Sequence, residues 1–396
     1  MKKITFSEIE ISSTGFSTGF STTIIEESDS THNKWSIYFT LNKDITVYND
    51  LVALSLSTLC GRNNYSDIHM DLEISSYMFN KIRDFTLSNL SARSLTDNIA
   101  DYLQAQRNGV TLNFSGGFDS LSALCLMPKE TNLVSMAFGG RFGREKGFFE
   151  KFDPIVVSTN IIETPLRSNS WSFMGIGSIL TSSHYNTKFN TFGGILEASP
   201  NNFDKSPAAA KNVTFPPFSA AGMINAPYTL GLSEVATMHV IAQAMPDMVS
   251  ESLDSLAEPG TEKRYRKQVL AEIMTARHGV QLNINKLPAP TKQHFSFGQN
   301  FAADFLSLYI IKHAGYDVAS NTIMNIPHEF IALSEKLSLD FYERINTNFY
   351  LNLPKELKSH FYQKCMMYGL EPYTRNDWDE FLVVTNHLAS HYKIAL

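Results

Sequence analysis

The chain has 396 residues and a formal net charge of −6, with 43% hydrophobic and 18% charged residues. That length allows two or three domains with buried cores, and the composition excludes a disordered chain. The acidic balance gives no global attraction to nucleic acid, so nucleic acid is not an expected partner, and no apolar run approaches the ~18 residues of a membrane span.

The three cysteines, Cys60, Cys125 and Cys365, lie far apart, with no CxxC and no zinc spacing. That fits a reducing compartment. The opening MKKITFSEIE turns polar and acidic too soon for a signal peptide, so the cytoplasm is the expected location. Residues 1–95 read as a small α+β N-terminal domain. Strands are expected over 36–41 and 45–48 with a turn between them, a short helix over 52–59, a strand over 68–74 and an amphipathic helix over 76–87. No catalytic constellation falls in this part. A further helix is expected over 96–106.

The stretch GVTLNFSGGFDSLSALCLM, residues 109–127, then changes character. Val110, Leu112 and Phe114 form an apolar run of strand type. Ser115, Gly116 and Gly117 break it, and Leu121, Leu124 and Cys125 resume at helical spacing. A glycine pair between strand and helix lets the backbone turn sharply and lets a ligand approach closely. The N–H groups at the helix start suit an anion such as phosphate. Ser115 and Ser120 add hydroxyls, and Asp119 offers carboxylate oxygen to a hard cation. The plainer alternative is a serine-rich turn in which Asp119 or Ser120 merely caps a helix.

The string Ser115-Gly116-Gly117-Phe118-Asp119-Ser120 matches SGGxDS and resembles the pyrophosphate loop of the N-type ATP pyrophosphatases, the adenine nucleotide alpha-hydrolases. It is not the ATPase phosphate loop, because no GxxxxGK[ST] occurs. The resemblance covers roughly residues 108–245. It implies a doubly wound parallel α/β sheet of the HUP type in a domain spanning 96–290, and it implies ATP and magnesium as cofactors. Phe114, Ser115, Gly116, Gly117, Asp119 and Ser120 would line the nucleotide, Asp119 would hold magnesium, and Asp119 and Ser120 would act in catalysis. The end of the second strand in such proteins meets adenine and ribose, which assigns Ala137, Phe138 and Gly139 to the nucleotide.

That second strand is expected over 132–138. The glycine-rich tip after it carries Arg141 and Arg144, candidates to neutralise a phosphate or meet an anionic substrate; a solvated loop charge is the alternative for each. Strand 155–159, an apolar helix 170–183 and strand 189–192 follow. Gly193 and Gly194 then end a strand as Gly116 and Gly117 do. Recurrence of glycine at strand ends is what a crevice-lining site in a doubly wound sheet requires. Glu197 is a candidate metal, ribose or substrate group, or a first-turn glutamate that complements a helix dipole. His184, between helix and strand, is a weaker substrate candidate.

Residues 199–227 are polar, without periodicity, and read as a lid, substrate loop or linker. Ser233 caps a helix. The basic run Lys263, Arg264, Arg266, Lys267 reads as a solvated helix face in preference to a phosphate contact. In 7-cyano-7-deazaguanine synthases four cysteines downstream hold zinc; this chain has none there. Asparagine synthetases place a nucleophilic cysteine after the start methionine, where this chain has Lys2. Pro288 and Pro290 mark a boundary, and 291–396 reads as a helical, aromatic-rich region with dimer-contact potential.

The resemblance implies transfer of AMP from ATP to a carbonyl or carboxyl oxygen of a small-molecule substrate. A nitrogen or sulfur nucleophile from an external ammonia or sulfur donor then displaces AMP. A tRNA-thiolating enzyme and a non-catalytic nucleotide-binding regulator are the alternatives.

Overall fold

Ile4 and Phe6 alternate with polar neighbours in strand β1 (Lys3–Ser13), and Ile37, Phe39 and Leu41 alternate in β3 (His32–Leu41), while β2 (Thr18–Glu27) between them is buried on both faces over most of its length. Period-two alternation puts one face of such a strand in a core and leaves the other to water. In the computed structural model, which describes residues 2–98, 103, 105–204 and 213–394, these strands begin one ten-stranded sheet. The others are β4 (Asp67–Ser75), β5 (Asn89–Thr96), β6 (Gly109–Asn113), β7 (Asn132–Ala137), β8 (Ile155–Thr159), β9 (Thr187–Thr191) and β10 (Ile224–Asn225). Their order is β10-β9-β6-β7-β8-β3-β2-β1-β4-β5.

The fold class is α/β: a mixed, mostly parallel sheet with flanking helices. β6 pairs with β7 and β9 in parallel, and β7 with β8. β3 meets β8 antiparallel, with Phe39 opposite Thr159. The strands of the first 96 residues therefore share one sheet with the strand that leads into Ser115. Helices α1 (Asn49–Cys60) and α2 (Ser76–Thr86) cover β4 and β5, burying Leu51, Leu54, Met78 and Ile82 against Ile68, Met70 and Ile74.

The chain divides into two units. The first, Met1–Ser115, Glu130–Thr191 and Thr214–Ala226, holds the sheet, α1 and α2. The second, Gly116–Lys129, Phe192–Val213 and Pro227–Leu396, is helical. Between them in chain order come α3 (Phe118–Leu126), in the second unit, and α4 (Gly143–Phe149), α5 (Ile176–Thr181) and α6 (Pro216–Ala220), in the first. The second unit continues with α7 (Glu234–Ala244), α8 (Val249–Leu256), α9 (Glu262–His278), α10 (Phe301–Ala314), α11 (Tyr316–Ser320), α12 (His328–Lys336), α13 (Lys355–Met367) and α14 (Arg375–Leu388). The expected helical, aromatic C-terminal region is present. Phe203 stands edge-on to Phe301 and Phe305 at 4.8 and 5.0 Å between ring centroids.

Several local expectations change. Residues 45–48 form no strand: the Ile45 amide donates to Thr18 Oγ1 at 3.1 Å, and the chain enters α1 four residues later. The apolar helix expected over 170–183 is a 3-10 turn, Trp171–Gly175, followed by the short α5. The glycine-rich tip after β7 is a 3-10 turn, Gly140–Phe142, that runs into α4. Part of the helix expected over 96–106 and part of the 199–227 segment lie outside the described residues, and Thr96 is the last residue of β5. The described ends of the latter carry a 3-10 turn, Pro200–Phe203, α6 and β10.

Candidate functional site

β6 ends at Asn113, and the chain passes through Phe114 and Ser115 into the two glycines. Gly116 has φ +77°, a left-handed conformation in which a Cβ would be strained. Gly117 is the N-cap of α3, extended at φ −71° and ψ 160°, and brings no capping side chain to the first turn. Two hydroxyls fix the loop: Ser120 Oγ donates to the Gly117 carbonyl at 3.0 Å, and Ser252 Oγ of α8 donates to the Gly116 carbonyl at 2.7 Å. Ser115 is exposed, and Phe114 is buried with its carbonyl taking Ser135 Oγ at 2.6 Å.

Gly193 packs on the start of α3: a Cβ there would stand 2.7 Å from the Ser120 nitrogen. No larger residue fits without moving backbone. Gly194 faces open space, and its carbonyl accepts from Thr229 Oγ1 at 2.9 Å. The three-residue 3-10 turn that follows, Leu196–Ala198, carries Glu197 into the interior of the second unit.

Glu197 Oε1 accepts the backbone N–H of Glu234, the first residue of α7, at 2.7 Å. Its Oε2 is buried without a hydrogen-bond partner among the described residues. The Glu234 carboxylate, also buried, takes Lys267 Nζ at 2.8 Å and Arg266 Nη2 at 3.5 Å, both from α9. Lys267 Nζ also lies 4.9 Å over the Phe118 ring, which brings α9 to the first turn of α3. Asp119, half-buried, receives Thr237 Oγ1 of α7 at 3.4 Å. The sequence candidates Asp119, Ser120, Gly193 and Glu197 thus come together, and Glu234, Thr237, Ser252, Lys263, Arg266 and Lys267 join them.

The carboxyls do not titrate alike. Burial pushes Glu197 up to about 8, and the neighbouring Glu234 charge adds to the shift. Burial also raises Asp119, against the pull of Lys267. Burial works the same way on Glu234, but Lys267 and Arg266 outweigh it and hold this carboxyl well below the usual range. Lys267 and Arg266 pair with Glu234, while burial and a neighbouring negative charge both oppose ionisation of Glu197. Lys263 is exposed at the rim of the cluster; partial desolvation and the nearby Lys267 charge lower its amine.

Other sequence candidates lie in the first unit. Ala137 ends β7, and the Phe138 ring packs on Phe142 and Phe173 at 5.9 and 5.7 Å. Gly139 then takes φ +68°. Arg141 falls in the 3-10 turn and Arg144 is exposed on α4. His184 precedes β9, at the opposite end of that five-residue strand from Thr191. Burial lowers its pKa, helped by Lys43.

The basic run of α9 corrects the sequence reading most. Arg264, Arg266 and Lys267 are buried, not solvated. A signal was present: four cations crowd the N-terminal turns of a helix, where the dipole disfavours them.

Comparison with known protein families, with curated proteins and with solved structures found no match to this chain.

Proposed function

We propose that this chain is an ATP pyrophosphatase-type enzyme that adenylates a carbonyl or carboxyl oxygen of a small molecule for amidation or thiolation. The observation that carries this reading is the start of α3. The SGGFDS string turns there through a left-handed glycine into a helix whose N-cap is a glycine, beside Asp119 and a group of buried cations. The strand order supports it. β8-β7-β6-β9-β10 reads third, second, first, fourth, fifth in chain order, so the order reverses between β6 and β9. A doubly wound sheet binds ligands outside the carboxyl ends of the strands at such a point.

Magnesium fits this donor set in one way. Among the described residues no three His, Cys, Asp or Glu side chains group to hold an ion by themselves. Magnesium is commonly shared between one or two carboxylates, waters and substrate phosphates, and Asp119 is the carboxyl placed for that. When bound it would neutralise phosphate charge.

In the proposed reaction an acceptor oxygen attacks the α-phosphorus, and the bond to the α–β bridging oxygen breaks. Pyrophosphate leaves with that electron pair. The nitrogen or sulfur nucleophile then attacks the activated carbon and AMP departs. The loop and the N-terminus of α3 stabilise the growing charge on pyrophosphate, a preorganised electrostatic effect. The chain's own thiols are unsuited to carry sulfur. Cys125 and Cys365 are buried and pushed up to about 12, and burial raises Cys60 further. A thiolate, not a thiol, does such chemistry, so the nucleophile comes from outside the chain.

The test uses ATP labelled at the α-phosphate, magnesium and a metabolite extract. Wild type should release labelled AMP, and Asp119→Ala should lose at least about 100-fold of that activity. Labelled ADP, or tight ATP binding without turnover, would remove the adenylation mechanism and leave a nucleotide-binding regulator.

A further inference from the structure

Helix α13 has two unlike faces. Leu357, Phe361 and Cys365, spaced four residues apart, are buried. The Phe361 ring stacks on Tyr350 at 4.4 Å between centroids and stands edge-on to Tyr228 at 5.7 Å. That face anchors the helix in the second unit, where it packs against α3.

The outer face is not that of a solvated helix. Met366 and Met367 are 80% and 68% exposed, and Tyr362 and Leu351 are exposed as well. These side chains adjoin one another. Tyr362 and Met366 are one helical turn apart. Lys358, one turn before Tyr362, donates from Nζ to the Leu351 carbonyl at 2.9 Å, which holds the Leu351 turn beside the same stripe. Single exposed apolar side chains are ordinary, whereas several together mark a contact surface. Lysines frame the stripe. The helix carries Lys355, Lys358 and Lys364 against Glu356 alone, on a chain whose net charge is −6.

We propose that this face of α13 docks an acidic amphipathic helix of another protein, whose apolar stripe covers Leu351, Tyr362, Met366 and Met367 and whose carboxylates meet Lys355 and Lys358. The exposed apolar positions follow helical spacing, so a second helix laid along α13 covers them together. Methionine is flexible and adapts its shape to what covers it. Charge selects the partner: a local excess of lysine on an acidic chain attracts carboxylates. The same excess disfavours a second copy of this chain, because two-fold contact through the face would bring two lysine-rich surfaces together with too few carboxylates to answer them. The inference is independent of the nucleotide reading.

The test is fluorescence anisotropy with two labelled synthetic helices of about 20 residues. One has a leucine stripe and glutamates elsewhere, and the other has lysines in place of the glutamates. Each is titrated with the full chain. The glutamate helix should bind at least about tenfold more tightly than the lysine helix, and more weakly as salt rises. Met366→Asp should weaken its binding about tenfold or more, and Lys355→Glu about threefold or more. Both positions are exposed, so both variants should melt like wild type. Leu382→Asp, at an exposed apolar position of α14, should bind within twofold of wild type. A glutamate helix that does not bind by about 1 mM, or that loses as much affinity to Leu382→Asp as to Met366→Asp, overturns the assignment. So does tighter binding of an oligonucleotide or of anionic lipid vesicles at the same face, lost in Met366→Asp. Wild type that dimerises in ultracentrifugation, and is dispersed by Met366→Asp, gives the face to a second copy and overturns it as well.

Discussion

The two ends of α9 carry similar residues and solve opposite problems. At the C-terminal end Arg277 Nε donates to Glu343 Oε1 at 2.6 Å, His278 Nε2 lies 2.8 Å from Glu343 Oε2, and the Tyr309 hydroxyl donates to the same carboxylate. The negative end of the helix welcomes these cations, and a carboxylate held below its usual range by Tyr309 and Arg277, against burial, balances them. At the N-terminal end the cations oppose the dipole and outnumber the ionised carboxylates near them. A balanced cluster locks helices together. An unbalanced one is kept at a cost in stability.

That contrast breaks in three places if it is wrong. The largest effect should come from Glu234→Ala, which leaves Lys267 and Arg266 buried and unpaired. Stability should fall by about 3–5 kcal/mol in denaturant unfolding. A change under about 1 kcal/mol would mean the pair is not buried as described.

Next is the response to alkali. Glu197 titrates at about 8 in the fold against an ordinary 4.5. A raised folded pKa gives stability that is complete below the unfolded value and is lost as pH rises through the folded one. Between pH 6 and 9 wild type should therefore lose roughly 3 kcal/mol more than Glu197→Gln. Parallel pH profiles for the two proteins would show that Glu197 is ionised in the fold at neutral pH.

The smallest effect belongs to the balanced end. Glu343→Gln should cost about 1–2 kcal/mol of stability, since it weakens hydrogen bonds from charged donors. It should leave pyrophosphate affinity within twofold of wild type. A large loss of that affinity would erase the distinction between the two ends.

Much of the first unit was legible because its signals are local. Ile68, Met70, Leu72 and Ile74 alternate, and β4 forms there. Val110, Leu112 and the glycines after Ser115 announce a strand and a turn, and both are present. β1 carries the same alternation at Ile4 and Phe6, whereas β2 is buried on both faces over most of its length and shows no clean period of two. Residues 45–48 also alternate, yet form no strand, because a hydroxyl from Thr18 takes the Ile45 amide.

The candidate site divides the same way. Asp119, Ser120 and Gly193 are recognisable from residue type beside a turn. Glu197 drew notice only as a polar residue after a glycine pair. Its raised pKa depends on burial and on the charge of Glu234, 37 residues later, whose backbone N–H it accepts.

Residue order alone settles what a few neighbouring side chains can enforce: period-two strands, the sharp turn at Gly116 and Gly117, and the aromatic helices of residues 301–388. Packing settles which charges lose water. The cations of α9 run against the helix dipole, which a local rule can see, but their loss of water is not visible in spacing. Folding places α7, α3 and the 3-10 turn of Glu197 around them, and burial then assigns each ionisable group its charge and its partner.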